Sequence, residues 1–355
     1  MRGAALQCGH VCPVELFVTA DAPDTRPSTR TGYGWLWRSL RAIARWVRWR
    51  VKHQAVRGMV MVLLAAMLWG TTGTAQSLLP PGLPAHWVGA LRLLVAGVFF
   101  AIYIPFERGA GGLLQQYRQL PWRYLVLAAG CVATYNLSFF AGVKAGSVAV
   151  GTAIAIGSGP IFAGLMQAVF LRQPPGRVWW LGTLLAVAGG SLMVAGGVLS
   201  AQTSVQGVVL CLVAGLAYAA YTLLSKKMVS DANASMVAQC TFSLAALLAA
   251  TLAFGVSGLP HTTPGGWLVV LYLGAIATGL AYLLFTHALR HIASSTAVSI
   301  VLVEPLTAFC LAIVVVGERP GIAGFVGLGL VMAGLALVVR DALRHAAAPI
   351  KTEGG

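Results

Sequence analysis

Glu304 and Arg92 are two ionisable residues that stand inside long apolar stretches of the sequence. An ionisable group at membrane depth costs roughly 2.5–3.5 kcal/mol on insertion scales, so it should face a partner or a water-filled cavity. Glu304 directly precedes Pro305, whose ring removes a backbone donor and exposes a carbonyl group one turn earlier. A partly desolvated carboxyl there can take up and release a proton as its access to water changes. The alternative is a structural carboxyl that hydrogen-bonds a neighbouring helix.

Arg92 offers a different chemistry, because its guanidinium presents a planar fork of donors that suits a carboxylate or a phosphate. The residue lies about a third of the way into its apolar stretch. A long cationic side chain at that depth can also snorkel to an interface. Substrate attraction and structural anchoring are therefore both open for Arg92.

Polar and aromatic side chains recur in the other apolar stretches and mark a candidate cavity. Tyr, Asn and Thr groups in lipid-level helices favour a hydrogen-bonding interior. The candidate substrate-binding residues are Trp69, Thr72, Arg92, Tyr135, Asn136, Tyr218, Tyr221, Tyr282 and Glu304. Any one of them could instead serve helix packing, so the set carries more weight than its members. His287 is expected near the inner end of its helix, with a proton relay as the alternative role.

The composition indicates that lipid surrounds these side chains. Of the 355 residues, 58% are hydrophobic and only 9% are charged, against about 25% charged residues in soluble proteins. The net charge of +15 is concentrated in the N-terminal segment and in short loops. This distribution of positive charge reflects the orientation of the chain in a membrane and does not indicate nucleic-acid binding.

The six cysteines show no regular spacing, so no disulfide framework is implied. Cys8 and Cys12 flank His10, but further ligands at zinc-site spacing are missing. We expect neither a metal nor a cofactor.

From Gly58 onward, apolar stretches near 20 residues alternate with short loops, and a ~30 Å hydrocarbon layer needs about 20 helical residues. The sequence predicts an all-α integral membrane protein. Its ten spans are placed at 58–78, 86–106, 122–142, 146–171, 178–199, 206–225, 235–256, 266–288, 293–316 and 321–340. The basic residues favour a cytoplasmic location for both termini.

Residues 1–57 form a separate basic segment. Within it, a helix near 35–52 has arginines along one side and aliphatic residues along the other, with tryptophans at its flanks. Such an amphipathic helix is expected to lie on a bilayer with anionic headgroups. Residues 341–355 are expected to form a cytoplasmic tail.

An internal repeat relates residues 58–199 to residues 206–340. A shift of 145 aligns three pairs, Pro160 with Pro305, Gly182 with Gly327 and Gly189 with Gly334, and a shift of 149 aligns Gly58 with Gly207 and Trp69 with Tyr218. Because five is odd, the second five-helix repeat must enter the membrane from the opposite side. Inverted repeats of this kind bind substrate near the midplane.

Each repeat ends in a helix with small residues at four-residue spacing. These residues are Gly182, Ala186 and Gly190 in the first repeat, and Gly329 and Ala333 in the second. They predict smooth faces for close packing.

Three stretches resemble the EamA family of the drug/metabolite transporter superfamily. They are LAAMLWGTTG, GSGPIFAGLMQAVFLRQPP with the following LGTLLAVAGGSLMV, and VEPLTAFCLAIVVVGERPGIAGFVGLGLVMAGLALVV. The resemblance covers about residues 58–340, although Gln173 stands where family members often carry an acid. It implies a ten-helix inverted-repeat carrier of small metabolites, commonly an exporter, in the bacterial inner membrane.

We therefore expect a secondary active transporter that exports small metabolites, either amino-acid-like compounds or drugs, with Glu304 as the candidate for proton coupling. The alternative is a non-transporting membrane sensor or scaffold. An enzyme is not expected, because acids are few and no HExxH, GxSxG or P-loop pattern is present. The expected partners are a small-molecule substrate and anionic lipid, with no nucleic acid.

Overall fold

The computed structural model describes residues 53–80, 82–108, 113–145, 148–195, 204–316 and 321–347. All regular secondary structure in these ranges is helical, as the sequence predicts. The predicted amphipathic helix near 35–52, the group of Cys8, His10 and Cys12, and residues 348–355 of the predicted tail lie outside the described residues.

The helices follow one another closely along the chain. They are α1 (53–70), α2 (Thr72–Ser77), α3 (Ala85–Arg108), α4 (Leu113–Arg118), α5 (Trp122–Ala145), α6 (Val148–Phe170), α7 (Arg177–Ala195), α8 (Val205–Asp231), α9 (Ala234–Ser257), α10 (Pro264–Gly274), α11 (Ala281–Ala288), α12 (Ser294–Ile300), α13 (Val303–Leu311) and α14 (Ile322–Ala347). A π-helical segment, Ala275–Leu280, joins α10 to α11, and a second one, Ala312–Val316, follows α13.

Within the described ranges, seven helical stretches are long and apolar enough to cross a bilayer. They are His53–Gln76, His86–Glu107, Val205–Asp231, Ala234–Ser257, Pro264–Ala288, Ser294–Val315 and Ile322–His345. They show a multi-pass membrane protein. Helices α5, α6 and α7 occupy the positions of the third, fourth and fifth predicted spans, and they contain 24, 23 and 19 residues. The ten-span count itself stays a prediction.

Two of the long stretches are interrupted where the sequence carries polar groups. The chain turns at Thr71 between α1 and α2, and the Thr71 Oγ1 donates to the Leu68 carbonyl oxygen at 2.7 Å. A second turn at residues 301–302 separates α12 from α13, so Glu304 and Pro305 stand in the first turn of α13. The interruption therefore precedes the Glu-Pro pair. Pro305 fits there because the first backbone N–H groups of a helix have no intrahelical acceptor.

The short helix α12 is held against the first half of the chain by Gln167 of α6. The Gln167 Oε1 accepts from the Ser294 hydroxyl at 3.3 Å and from the Ser295 backbone N–H at 3.2 Å. It therefore caps a helix whose N-cap residue, Ala293, has no side-chain acceptor. Thr183 of α7 adds a hydroxyl contact of 3.0 Å to Ser299.

Helices α7 and α14 pack through two pairs of glycines. A Cβ atom built on Gly182 would lie 2.7 Å from the Gly334 carbonyl oxygen, and one on Gly189 would lie 2.5 Å from the Gly327 carbonyl oxygen. Side chains cannot occupy such gaps. The predicted contact through Gly182 is therefore present, but Gly190 and Gly329 have open space around them. Seven residues rotate a helix to within about 20° of the starting direction whereas eight overshoot by about 80°, so Gly189 shares the face of Gly182 and Gly190 does not.

Candidate functional site

An aromatic cluster joins helices from both halves of the sequence. It contains Trp69, Tyr135, Tyr218, Tyr221, Phe242, Tyr282 and Phe285. The indole of Trp69, at the end of α1, lies 4.8 Å from the Tyr282 ring centroid and 5.4 Å from that of Phe285, both on α11. Trp69 is thereby buried against the second half of the chain.

Tyrosines from two further helices extend the aromatic cluster. Tyr218 of α8 lies 6.5 Å from Trp69 and 5.9 Å from Tyr135 of α5, measured between ring centroids. Tyr221, one turn further along α8, lies 5.9 Å from Tyr282. The structure therefore brings together all five aromatic residues that the sequence placed in the candidate cavity.

The sequence analysis missed two members of the aromatic cluster, Phe242 and Phe285. Phe242 is fully buried and its ring centroid lies 4.4 Å from that of Tyr282. A phenylalanine in an apolar helix carries no polar signal that separates a cavity wall from a lipid-facing or core position.

Arg92 of α3 is half-buried and is held by the second half of the chain. Its Nε–H group donates to the Thr278 hydroxyl oxygen at 3.0 Å. Thr278 lies in the π-helical segment Ala275–Leu280 and donates its own hydroxyl proton to the Leu273 carbonyl oxygen at 2.7 Å. The guanidinium is thus paired within the bundle and does not simply snorkel to an interface.

Glu304 lies in the same interior region as Arg92. Its carboxyl group is within electrostatic range of the Arg92 guanidinium and of Tyr135, Tyr218 and Tyr282. The carboxyl group is surrounded by protein atoms, although the Glu304 residue as a whole is still partly accessible to solvent. A carboxyl group and a guanidinium therefore lie within electrostatic range of each other and of tyrosines of the aromatic cluster, and ionisable groups at this depth are expected to face a partner or water.

Several polar atoms around the aromatic cluster are buried without a hydrogen-bond partner among the described residues. They include the Trp69 Nε1, the Thr72 Oγ1 and the Tyr218 hydroxyl oxygen. An unmet buried polar group costs about 1–3 kcal/mol, so each such group in a native structure needs an explanation. A bound molecule with hydrogen-bond acceptors would satisfy the indole N–H and both hydroxyl groups.

Asn136 is not brought into the aromatic cluster by any contact that the structure records in the described ranges. Its Nδ2 donates to the Val132 carbonyl oxygen of its own helix at 2.8 Å. Short polar side chains commonly bond back to the preceding turn in this way. The binding role predicted for Asn136 stays a prediction.

His287 lies at the far end of α11 from the π-helical segment. Its Nε2 is 3.4 Å from the Glu107 Oε1 of α3, and its Nδ1 is 2.8 Å from the Leu283 carbonyl oxygen. A carbonyl oxygen only accepts, so Nδ1 carries a hydrogen, and the ring can also donate to Glu107 only as the imidazolium. The pair therefore ties α3 to α11 when His287 is charged.

Basic groups surround this end of the bundle. Burial and the nearby charges of Arg57, Arg290, Lys226 and His287 lower the pKa of His291. Lys226 donates to the Leu289 carbonyl oxygen, and the Arg290 Nη2 donates to the Ala232 carbonyl oxygen at 2.6 Å. The carbonyl groups at the C-terminal ends of α11 and α8 thus accept hydrogen bonds from cationic side chains, which suits the partial negative charge of a helix C-terminus.

Among the described residues, no group of three or more His, Cys, Asp or Glu side chains is arranged to hold a metal ion. The chemistry that the site offers consists of an aromatic surface, one guanidinium, one carboxyl group and several free hydrogen-bonding groups.

Replacement of Tyr218 by Phe should separate folding from function. The variant removes a buried hydroxyl group that has no partner among the residues the structure describes, so its free energy of unfolding should stay level or rise by about 1 kcal/mol. Any activity that uses this hydroxyl should fall. Thermal unfolding of the purified protein and transport measured on the same preparation would check both. Tyr117→Phe is the control, because that hydroxyl bonds Gln239 outside the aromatic cluster and its loss should lower stability only.

Comparison with known proteins identifies the family to which this chain belongs. The model of the EamA-like transporter family matches residues 56–195 and, a second time, residues 205–340. An uncharacterized transporter of Bacillus subtilis, YwfM, is 37% identical over 281 residues, which cover 79% of this chain and 92% of YwfM.

More distant relatives carry similar names. The uncharacterized inner membrane transporter YicL of Salmonella typhimurium is 23% identical, with 82% of this chain and 98% of YicL covered. Protein RarD of the same species is 24% identical, with 82% and 97% covered. A solved crystal structure superimposes with a TM-score of 0.70 at 21% identity, and it covers 80% of this chain and 98% of its own, which shows a shared fold. The chain is a multi-pass membrane protein and belongs to the EamA-like transporter family.

Proposed function

We propose that the protein is a secondary active transporter that exports small metabolites across the bacterial inner membrane. The observation that carries this proposal is the interior site, in which Arg92, Glu304 and the aromatic cluster are assembled from both halves of the chain. A site drawn from two halves changes shape whenever the halves move relative to each other. Several relatives are named as transporters, which supports transport as the function. YicL is named as an inner membrane transporter, which supports the inner membrane as the location.

The proposed architecture has ten spans in two inverted five-helix repeats, residues 58–199 and 206–340, with both termini cytoplasmic. The glycine contacts between α7 and α14 support it. Under the shift of 145, Gly182 corresponds to Gly327 and Gly189 to Gly334. The contact between Gly182 and Gly334 therefore maps onto the contact between Gly327 and Gly189, as exchange of two halves about a two-fold axis requires.

A second set of contacts follows the same rule. A Cβ atom built on Gly58 would lie 2.9 Å from the His291 Cβ. A Cβ atom built on Gly142 would lie 3.0 Å from the Gly207 carbonyl oxygen. The shift of 149 converts the first pair into the second. Trp69 and Tyr218, which correspond under this shift, also contact each other. Equivalent residues that touch lie near the axis, so the proposed axis passes through the aromatic cluster.

The chemistry of the site suits an amino-acid-like compound or an amphiphilic drug. Aromatic faces accept an apolar or cationic body. The free N–H groups of Arg92 and Trp69 offer donors to a carboxylate, and Glu304 offers an acceptor to an amine or a proton. Proton coupling follows if Glu304 exchanges its proton with water on each side in turn, as the halves rock.

The basic N-terminal segment, residues 1–57, and the tail, residues 341–355, are proposed to lie at the cytoplasmic surface. Positive charge near the bilayer is attracted to anionic headgroups by about 1 kcal/mol per Lys or Arg. This segment would therefore bind lipid and leave substrate binding to the interior site.

A metabolite-release comparison tests the proposed function. Cells that produce the protein should release a defined set of small metabolites faster than cells without it, and the Arg92→Lys protein at equal abundance should release less. Purified protein in proteoliposomes should then carry the same compounds. A sensor or scaffold would give no protein-dependent flux in either assay, and that result would reject the proposal.

Labelling of single cysteines tests the topology. Cysteines introduced near residue 53 and near residue 345 should react from the same side of the membrane. Reaction from opposite sides would contradict an even number of crossings.

A further inference from the structure

The π-helical segment Ala275–Leu280 lies directly against α3 at the level of Arg92. Glycines occupy two positions that face α3, Gly274 and Gly279. A Cβ atom on Gly279 would lie 2.7 Å from the Phe99 Cδ1, and one on Gly274 would collide with the Val95 side chain. A side chain at either glycine would therefore collide with α3, and Thr278 is a polar side chain that points into the contact.

The hydroxyl group of Thr278 has two hydrogen-bond partners. It donates its one proton to the Leu273 carbonyl oxygen, five residues earlier, at 2.7 Å, and it accepts from the Arg92 Nε–H at 3.0 Å. A carbonyl oxygen cannot donate, so the hydroxyl must present a lone pair to Arg92. The β-branched side chain, which is 1% exposed, also has little freedom to turn away.

This contact fixes which N–H group of the guanidinium is engaged within the protein and which N–H groups remain available. The Nε–H of Arg92 is occupied, whereas the structure records no hydrogen bond from its terminal nitrogens to other described residues. A planar guanidinium that is pinned at Nε presents its Nη1 and Nη2 hydrogens as a fixed pair. In this protein the pair is held within electrostatic range of Glu304.

We propose that Thr278 is a positioning residue, which holds Arg92 through its Nε–H and thereby keeps the terminal N–H groups directed at an oxygen anion in the interior site. This inference deepens the proposed transport function and rests on it for its effect on flux. The π-helical turn is part of the device, since the wider turn brings the Thr278 hydroxyl within reach of a carbonyl oxygen five residues back. Glu304 of α13, Tyr135 of α5 and Tyr282 of α11 are within electrostatic range of the same guanidinium.

The transport arm of the test uses four variants of the full chain in the release assay, scored on every metabolite whose release depends on the wild-type protein. Thr278→Val keeps the shape and removes the hydroxyl, and it should lower release about tenfold, as Arg92→Lys does. Thr278→Ser restores the acceptor and should keep at least half of the release. The variant that combines Thr278→Val with Arg92→Lys should release no less than Arg92→Lys alone, because the two residues act as one unit. Additive losses would show that Thr278 acts through general stability and would overturn the proposal.

The spectroscopic arm does not depend on transport. Purified protein carrying ¹⁵N-arginine should show an Nε–H signal that is absent from Arg92→Lys. In Thr278→Val this signal should shift and exchange with water at least tenfold faster, whereas Thr278→Ser should retain slow exchange. An unchanged signal in Thr278→Val would overturn the proposal even if release falls. If the wild-type protein releases nothing while the signal responds as expected, the proposed transport function fails and the positioning of Arg92 stands.

Discussion

Replacement of Glu304 by Gln should remove the pH dependence of release and lower its rate about tenfold to a hundredfold. Gln keeps the size and the hydrogen-bonding reach of the side chain but cannot take up or release a proton. A hydrogen bond or ion contact to a charged group contributes about 1.5–3 kcal/mol, and 1.4 kcal/mol corresponds to a factor of ten. In this variant the Arg92 guanidinium loses the carboxyl group within its electrostatic range, and under the proposed function a substrate amine loses its acceptor. Initial release rates between pH 5.5 and 8.5, at equal protein abundance, provide the measurement.

Two further variants decide what a loss of release means. Glu304→Asp keeps a carboxyl group and should retain a pH-dependent rate, although the shorter side chain moves the carboxylate away from Arg92. Glu107→Gln is the matched control, because Glu107 lies at the end of α3 and contacts His287 at the end of the bundle. A Glu304→Gln protein that releases metabolites at the wild-type rate throughout the pH series would rule out coupling through this residue.

The Gly189→Ala variant should unfold far more easily than the wild-type protein. The added methyl group would lie 2.5 Å from the Gly327 carbonyl oxygen and 2.7 Å from the Val331 backbone nitrogen. Both obstacles are backbone atoms of α14, so the helices must separate. Overpacking of this kind costs about 1–3 kcal/mol or more. Thermal unfolding of the purified protein in detergent, followed by circular dichroism, should show a clearly lowered midpoint.

The adjacent glycine provides the control for this experiment. A Cβ atom on Gly190 meets nothing within 4 Å, so Gly190→Ala should be neutral or stabilising by up to about 1 kcal/mol, since Ala is the better helix former. Gly334→Ala, at the position that corresponds to Gly189 in the second repeat, should be as damaging as Gly189→Ala. Equal midpoints for Gly189→Ala and Gly190→Ala would contradict the packing described for α7 and α14.

Polar groups are conspicuous in apolar helices, and the sequence singled out candidate residues on that basis, although their roles in binding stay predictions. Trp69, Arg92 and Glu304 stand out at membrane depth for that reason, and the structure brings them together. Phe242 and Phe285 have the same location but no such signal. Chemistry alone could therefore identify the groups that need partners but not the apolar walls around them.

Helix geometry explains the other differences. Small residues at four-residue spacing suggested a packing face through Gly190, but the 3.6-residue turn places Gly189 there instead. The π-helical segment around Thr278 was not predicted, because a wider turn has no residue pattern of its own and depends on the close approach of α3. The partner of Arg92 was missed for the same reason, since that partner lies 186 residues away along the chain.

Contacts with the first half of the chain follow one another along α10, the π-helical segment and α11, and four of them have a mechanical consequence through their order. Tyr272 meets Thr71, Thr278 meets Arg92, Tyr282 meets Trp69 and His287 meets Glu107. An uninterrupted rod would have to exchange all four partners at once. Sharp bends in helices concentrate at π turns, so Ala275–Leu280 is the place where the stretch from α10 to α11 can bend. If the halves rock as proposed, a bend there would let the contact of Tyr272 break while those of Tyr282 and His287 hold.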